Sequence, residues 1–137
     1  TAQAIADAFG GRVPTKKIVD EVYRQAAVKL YPESMPSAIG ATSTFLAHHQ
    51  RIEAQRRGSV LGALTAGHKK DVINSRRAHQ YPDRVCIYGW HRANHAAIQP
   101  LSTVHDLHHV DYSHGLRLMS NRVWVGDREV IVRCRWI

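Results

Sequence analysis

Residues 122–136 read RVWVGDREVIVRCRW, in which two strand-like arms flank the dipeptide Gly126-Asp127. A Gly-Asp pair between alternating apolar residues is typical of a two-residue β-hairpin turn. In the second arm apolar and charged residues alternate with a period of two, which predicts a half-buried antiparallel strand. The face turned toward the core is expected to carry Val130, Val132, Cys134 and Trp136.

The N-terminal third of the chain has a helical pattern instead. Ala2–Phe9 is rich in alanine, and a second helix is predicted from Thr15, as N-cap, to Leu30, because apolar residues there recur at i and i+4. Pro32 would prevent its continuation. A third helix is predicted at about Ser43–Arg57.

After residue 58 short strand-like runs dominate, including Arg84–Trp90 and Leu116–Met119. Helices followed by strands predict an α+β fold, with N-terminal helices packed on a small, mainly antiparallel sheet that ends in the C-terminal hairpin. A length of 137 residues is typical of one domain, with a helical part at about 1–58 and a β-rich part at about 59–137.

The net charge of the chain indicates which kind of binding partner to expect. Nineteen lysine and arginine residues against 11 acidic ones give a formal charge of +8, which favours polyanions such as nucleic acid or acidic polysaccharide. No apolar run approaches the roughly 20 residues that span a membrane. Cys86 and Cys134 both lie in strand-like runs, and either two buried thiols or one disulfide would suit that pattern.

Residues 105–114, HDLHHVDYSH, hold four histidines and two aspartates. Imidazoles and carboxylates at this density serve metal coordination or proton transfer near neutral pH. Asp111 and His114 are three residues apart, so a regular strand would place them on opposite faces. Because the polar run and Gly115 favour an irregular backbone, we expect a turn that brings Asp111 and His114 together.

Three polar insertions in the β-rich half each place a histidine close to a glycine. His68 lies in GHKKD, His91 in YGWH and His114 in DYSHG. Glycine at such positions allows a ligand or another backbone to come close. We therefore expect neighbouring strands to bring the three histidines to one cleft.

Two mechanisms fit such a cleft. Zinc or another divalent metal would take three ligands and activate a water molecule. Without a metal, a histidine oriented by an aspartate would act as general base. The predicted catalytic residues are His114, Asp111, His91 and His68. The predicted metal ligands are His68, His114 and Asp111, with His105 as a further ligand or base. HExxH, GxSxG and paired-cysteine motifs are absent.

Substrate contacts are predicted from the charged and aromatic residues beside these histidines. Lys69, Lys70 and Arg117 would bind anionic groups, and the rings of Trp90 and Tyr112 would stack on sugars or bases.

The sequence thus predicts a small basic hydrolase that acts on an anionic polymer, such as a cell-wall or extracellular polymer, and hence a secreted or periplasmic protein. The alternatives are a non-enzymatic metal- or glycan-binding module and a metal-dependent nuclease. The sequence does not predict the oligomeric state.

Overall fold

Helices occupy most of the first 55 residues in the computed structural model, which describes residues 1–36 and 38–132. Thr1 and Thr15 cap the first two helices, since each side-chain oxygen accepts a hydrogen bond from a backbone N–H three residues on. In the described part of the chain, none of the helices combines the length and apolar character needed to cross a membrane. The helices are α1 Ala2–Ala8, α2 Lys16–Gln25, α3 Thr42–Gln55 and α4 Arg76–Gln80.

The strands form four small sheets. In the largest, the strands Ala97–Ser102, Ile87–His91, Lys70–Val72 and His114–Gly115 lie side by side in that order, and only the last two are parallel to each other. The predicted α+β class with mainly antiparallel sheets is therefore confirmed. The described strands are β1 Gly11–Arg12, β2 Val28–Lys29, β3 Thr65–Ala66, β4 Lys70–Val72, β5 Ile87–His91, β6 Ala97–Ser102, β7 His114–Gly115, β8 Met119–Ser120, β9 Arg122–Val125 and β10 Arg128–Ile131.

The second helix is shorter than predicted. It ends at Gln25, and the residues that were expected to continue it to Leu30 form β2, which pairs in parallel with β3. The Val28 N–H donates to the Leu64 carbonyl, and the Leu30 N–H donates to the Ala66 carbonyl. These long-range bonds satisfy backbone groups that a helix would have satisfied locally, so tertiary pairing overrides the helical period.

The C-terminal hairpin is confirmed. β9 and β10 are antiparallel, with Val125 opposite Arg128 and Gly126 in the left-handed region at φ +60°. Val130 and Val132 are half-buried and flank the exposed Ile131, as the period of two predicts. Cys134 and Trp136 lie outside the described residues. The predicted strand at Leu116–Met119 is wrong in its bounds, since β7 ends at Gly115 and β8 begins at Met119.

The core lies between α2 and the larger sheet. One cluster of buried residues comprises Val19, Ile73, Cys86 and Tyr88, and Tyr23 belongs to a second cluster beside it. Cys86 is a buried free thiol. Because α2 covers one face of the sheet, side chains that alternate along β4 and β7 meet two different environments.

The position of the core predicts that two Ile→Ala substitutions change the free energy of unfolding by very different amounts. Ile73→Ala removes a side chain that is 3% exposed and should lower the free energy of unfolding by about 2–5 kcal/mol. Ile131→Ala, at a position that is 58% exposed, should change it by less than about 0.5 kcal/mol. Urea unfolding followed by circular dichroism measures both. Equal effects would contradict the assignment of the core.

Candidate metal centre

Three histidines converge at the end of the segment between β6 and β7. One ring nitrogen from each of His105, His109 and His114 lies within 4.8 Å of the other two. The rings of His105 and His109 stack with centroids 3.7 Å apart, and the His114 ring lies 5.5 Å from each of them. Three imidazoles around one point are the ligand set of a catalytic zinc site that leaves the fourth position open.

The chain builds this cluster from a turn and a strand pair. The His109 N–H donates to the Asp106 carbonyl and the His108 N–H to the Asp106 carboxylate, so the backbone folds back after His105. His105 is itself held against the sheet, because its carbonyl accepts a hydrogen bond from the Val85 N–H. His114 arrives from β7, where it lies opposite Lys70.

Two nitrogens of the cluster are buried without a partner. Nε2 of His109 and Nε2 of His114 make no hydrogen bond within residues 1–36 and 38–132. An unsatisfied buried polar atom costs about 1–3 kcal/mol, so native structures rarely leave two of them side by side. Coordination to a cation would satisfy both, and the donor set therefore fits a metal ion.

Burial keeps the imidazoles in the form that binds metals. Burial and the nearby charge of Lys70 lower the pKa of His114 to about 4, although Asp111 acts against them. The pKa of His105 is lowered in the same way, by burial and then by His109. Both rings are therefore neutral at pH 7, and a neutral imidazole offers a lone pair to a metal.

Asp111 is the carboxylate beside this cluster. Its Oδ1 accepts hydrogen bonds from the backbone N–H and the hydroxyl of Ser113, both at 2.7 Å. Its Oδ2 lies 3.7 Å from His114 Nε2 and 3.6 Å from Lys70 Nζ. Burial alone would raise the pKa of Asp111, but the bonds from Ser113 and the charge of Lys70 outweigh it and hold that pKa below its ordinary value. An ionised carboxylate thus lies next to the triad.

The predicted turn between Asp111 and His114 is confirmed, since the His114 N–H donates to the Asp111 carbonyl at 3.0 Å.

The predicted single cleft is wrong. In the β4–β7 pair Lys70 lies opposite His114 and Asp71 lies opposite Gly115, so His114 and Asp71 face opposite sides of the sheet. His68 and His91 line a cavity on the Asp71 side, whereas His114 lines a different one with His109. His68 therefore lies apart from the group that could hold a metal ion. Of the predicted ligands that group includes His105 and His114, together with His109, and neither His68 nor Asp111 belongs to it.

The predicted substrate-binding residues are divided in the same way. Lys70 lies on the metal side, with Nζ 5.0 Å from the centre of the Trp90 ring. Arg117 lines the opposite cavity. The Lys69 ammonium is occupied by the Tyr112 carbonyl and by Nδ1 of His48.

Tyr112 is buried, and its hydroxyl accepts a hydrogen bond from the Met35 N–H. At 4% exposure the Tyr112 ring offers almost no surface on which a substrate could stack.

His109 was missed in the sequence. Its spacing of four residues from His105 was a usable signal, because one turn of backbone places such residues side by side. The cavity that His109 and His114 line has a volume of about 340 Å³ and is also bordered by Arg84 and Leu107. A small molecule therefore has room beside His109 and His114.

Comparison of the chain with models of known protein families, with curated proteins and with solved structures found no match. The chemistry of the site is therefore argued from its own residues.

The triad predicts stoichiometric metal binding. Protein prepared without a histidine tag should bind one Zn²⁺ per chain, and His109→Ala should weaken that affinity about a hundredfold or more, since even residues that only orient ligands contribute about 10- to 100-fold. The matched control is His49→Ala on the exposed face of α3, which should bind like the wild type. Isothermal titration calorimetry with Zn²⁺ measures the affinities of the wild type and the two variants. Equal affinity of the His109→Ala and wild-type proteins would reject the centre.

Proposed function

We propose that the protein is a small hydrolase that uses a divalent metal, held by His105, His109 and His114, to cleave an anionic polymer. The observation that carries this proposal is that Nε2 of His109 and Nε2 of His114 are buried without a hydrogen bond in a cluster of three convergent imidazoles. Imidazole ligands suit zinc best among the cations that are common and redox-inert.

The number of protein ligands favours a catalytic zinc site over a structural one. Three imidazoles leave a fourth position, and a zinc-bound water there has a pKa lowered to about 7. A structural zinc site would instead be closed by four protein ligands. No fourth histidine, cysteine or carboxylate belongs to the cluster among the described residues.

Asp111 would accept the proton of the attacking water. Ser113 fixes one carboxylate oxygen through two hydrogen bonds, and this leaves Oδ2 directed toward His114 and Lys70. A base must be ionised and held in position, and Asp111 meets both conditions. Lys70 would bind an anionic group of the substrate or the oxyanion that develops during attack.

The substrate class follows from charge. The chain has a formal charge of +8, and Arg84 borders the cavity that His109 and His114 line. A basic surface around a hydrolytic centre concentrates polyanionic substrates near it. Acidic cell-wall or extracellular polymers fit this description and would imply a secreted or periplasmic protein. A nucleic acid fits the same charge, and it is the substrate in the nuclease alternative.

Asp111→Asn separates catalysis from metal binding. Asparagine keeps an oxygen for the Ser113 bonds but cannot accept a proton, so kcat should fall about 10²- to 10⁴-fold with zinc affinity retained. Activity is measured with zinc-loaded protein on a panel containing polyuronate, glycerol phosphate polymer, peptidoglycan, RNA and DNA. As the control, Asp127→Asn in the exposed hairpin turn should act like the wild type.

The same panel discriminates the alternatives. Release of oligonucleotides alone would identify a nuclease. Saturable polymer binding without cleavage by the zinc-loaded wild type would identify a binding module. If Asp111→Asn kept the wild-type kcat on a cleaved polymer, the assignment of the base would be wrong.

A further inference from the structure

A second polar cavity lies on the side of the sheet opposite the metal centre, between α2 and the β4–β7 pair. Its volume is about 220 Å³, which is below the range of about 300–1,000 Å³ that is usual for drug-sized ligands. It therefore suits a molecule of a few heavy atoms. The charged and polar side chains that line it are His68, Lys69, Asp71, His91 and Arg117.

The hydrogen bond between His91 and Asp20 determines which ring nitrogen of His91 carries the proton. His91 is 3% exposed, and its Nε2 lies 3.1 Å from Oδ1 of Asp20, an oxygen that also accepts from the Tyr88 hydroxyl at 2.6 Å. Burial would raise the pKa of Asp20, but hydrogen bonds from Lys16, Tyr88 and His91 outweigh it and lower that pKa. An ionised carboxylate only accepts, so Nε2 must be the donor of this bond.

This bond leaves Nδ1 of His91 as an acceptor in the neutral ring. In the described part of the chain Nδ1 has no hydrogen-bond donor, although the ring lines the cavity. The Tyr23 ring stacks on the imidazole with centroids 4.6 Å apart, so the orientation of His91 is fixed. The cavity thus offers an acceptor that a hydroxyl group would satisfy.

The other side of the cavity offers donors. Nη2 of Arg117 donates to the Thr65 carbonyl, and Nε lies 3.5 Å from the Asp71 carboxylate. Nη1 has no hydrogen-bond partner among the described residues. A guanidinium group is a donor suited to a carboxylate.

Arg117 is the cation that such a carboxylate would meet. The Lys69 side chain also lines the cavity, but its ammonium contacts the Tyr112 carbonyl and Nδ1 of His48. Asp71 is paired with Arg117 and orients the guanidinium group.

The backbone beside the cavity is also unusual. Trp90 has φ +61°, in the left-handed region that non-glycine residues rarely adopt, and Gly89 before it has φ +122°. Backbone conformations of this kind concentrate at ligand sites, where the surrounding structure maintains them. Here they allow Trp90 to contact Lys70 while His91 lines the opposite cavity.

We infer that this cavity binds a small hydroxycarboxylate, whose carboxylate contacts Arg117 and whose hydroxyl donates to His91. This site is separate from the metal centre and does not depend on the proposed hydrolase activity.

Three achiral probes test the inference by NMR titration of the full chain: glycolate, acetate and ethylene glycol. Glycolate carries both groups, whereas acetate lacks the hydroxyl and ethylene glycol lacks the carboxylate. Glycolate should bind about tenfold or more tightly than either, because each lost partner leaves a buried polar group unpaired. The absence of saturable binding by glycolate, or equal affinity for glycolate and acetate, would overturn the inference.

Variants locate the ligand. Arg117→Gln should weaken glycolate binding about tenfold or more, because a charge-assisted bond is lost, whereas Arg122→Gln in the exposed hairpin should have no effect. His91→Phe keeps a ring on Tyr23 and should abolish the preference for glycolate over acetate. Thermal melting checks that each variant is folded, and Arg117→Lys provides a second test of the carboxylate contact if Arg117→Gln is not.

The metal centre must be excluded as the glycolate site, because hydroxycarboxylates also chelate metals. His109→Ala should therefore bind glycolate with wild-type affinity. Loss of glycolate binding in that variant would place the ligand on the metal and reject the cavity.

Discussion

The parallel pairing of β4 with β7 is the constraint on which both sites depend. It is short, with Lys70 opposite His114 and Asp71 opposite Gly115, and the Lys70 N–H donates to the Ser113 carbonyl at 2.8 Å. Glycine is required at 115, because a Cβ there would lie 2.9 Å from Cβ of Lys69. The pairing brings a segment with many histidines against a strand more than 40 residues earlier and fixes which side chains share a face.

The polar groups gathered by this pairing are stable because nearly all of them satisfy one another. Asp111 is buried, and a buried carboxylate is costly without donors. Ser113 supplies two hydrogen bonds, and Lys70 and His114 lie within 4 Å of the other oxygen. Among the exceptions are Nε2 of His109 and Nε2 of His114, two residues of the cluster that could hold a metal ion.

Local patterns in the sequence predicted local structure well. The Gly126-Asp127 hairpin, the Thr15 cap and the turn from Asp111 to His114 each depend on interactions within a few residues. The end of α2 could not be predicted in this way, since it is determined by pairing with β3, a strand close to residue 65.

The sequence also could not predict that the histidines expected in one cleft lie on two faces of the sheet. β4 has three residues and β7 has two, so neither is long enough to show a period from which its faces could be assigned. The left-handed Trp90 also breaks the alternation next to His91. As a result, the histidines at 68, 91 and 114 resembled one another in sequence context but belong to two cavities.

Lys69 and Lys70 show what this arrangement implies for function. They are adjacent in the chain, yet strand alternation directs Lys70 to Asp111 on the metal side and Lys69 to the side of Asp71 and Gly115. None of the three histidines of the candidate metal centre lines the small cavity, so the two sites have separate sets of histidines. Because closely packed strands move little, side-chain substitutions in one site should leave the other site intact. The same strand pair can therefore hold a metal centre and a separate small-molecule cavity in a domain of this size.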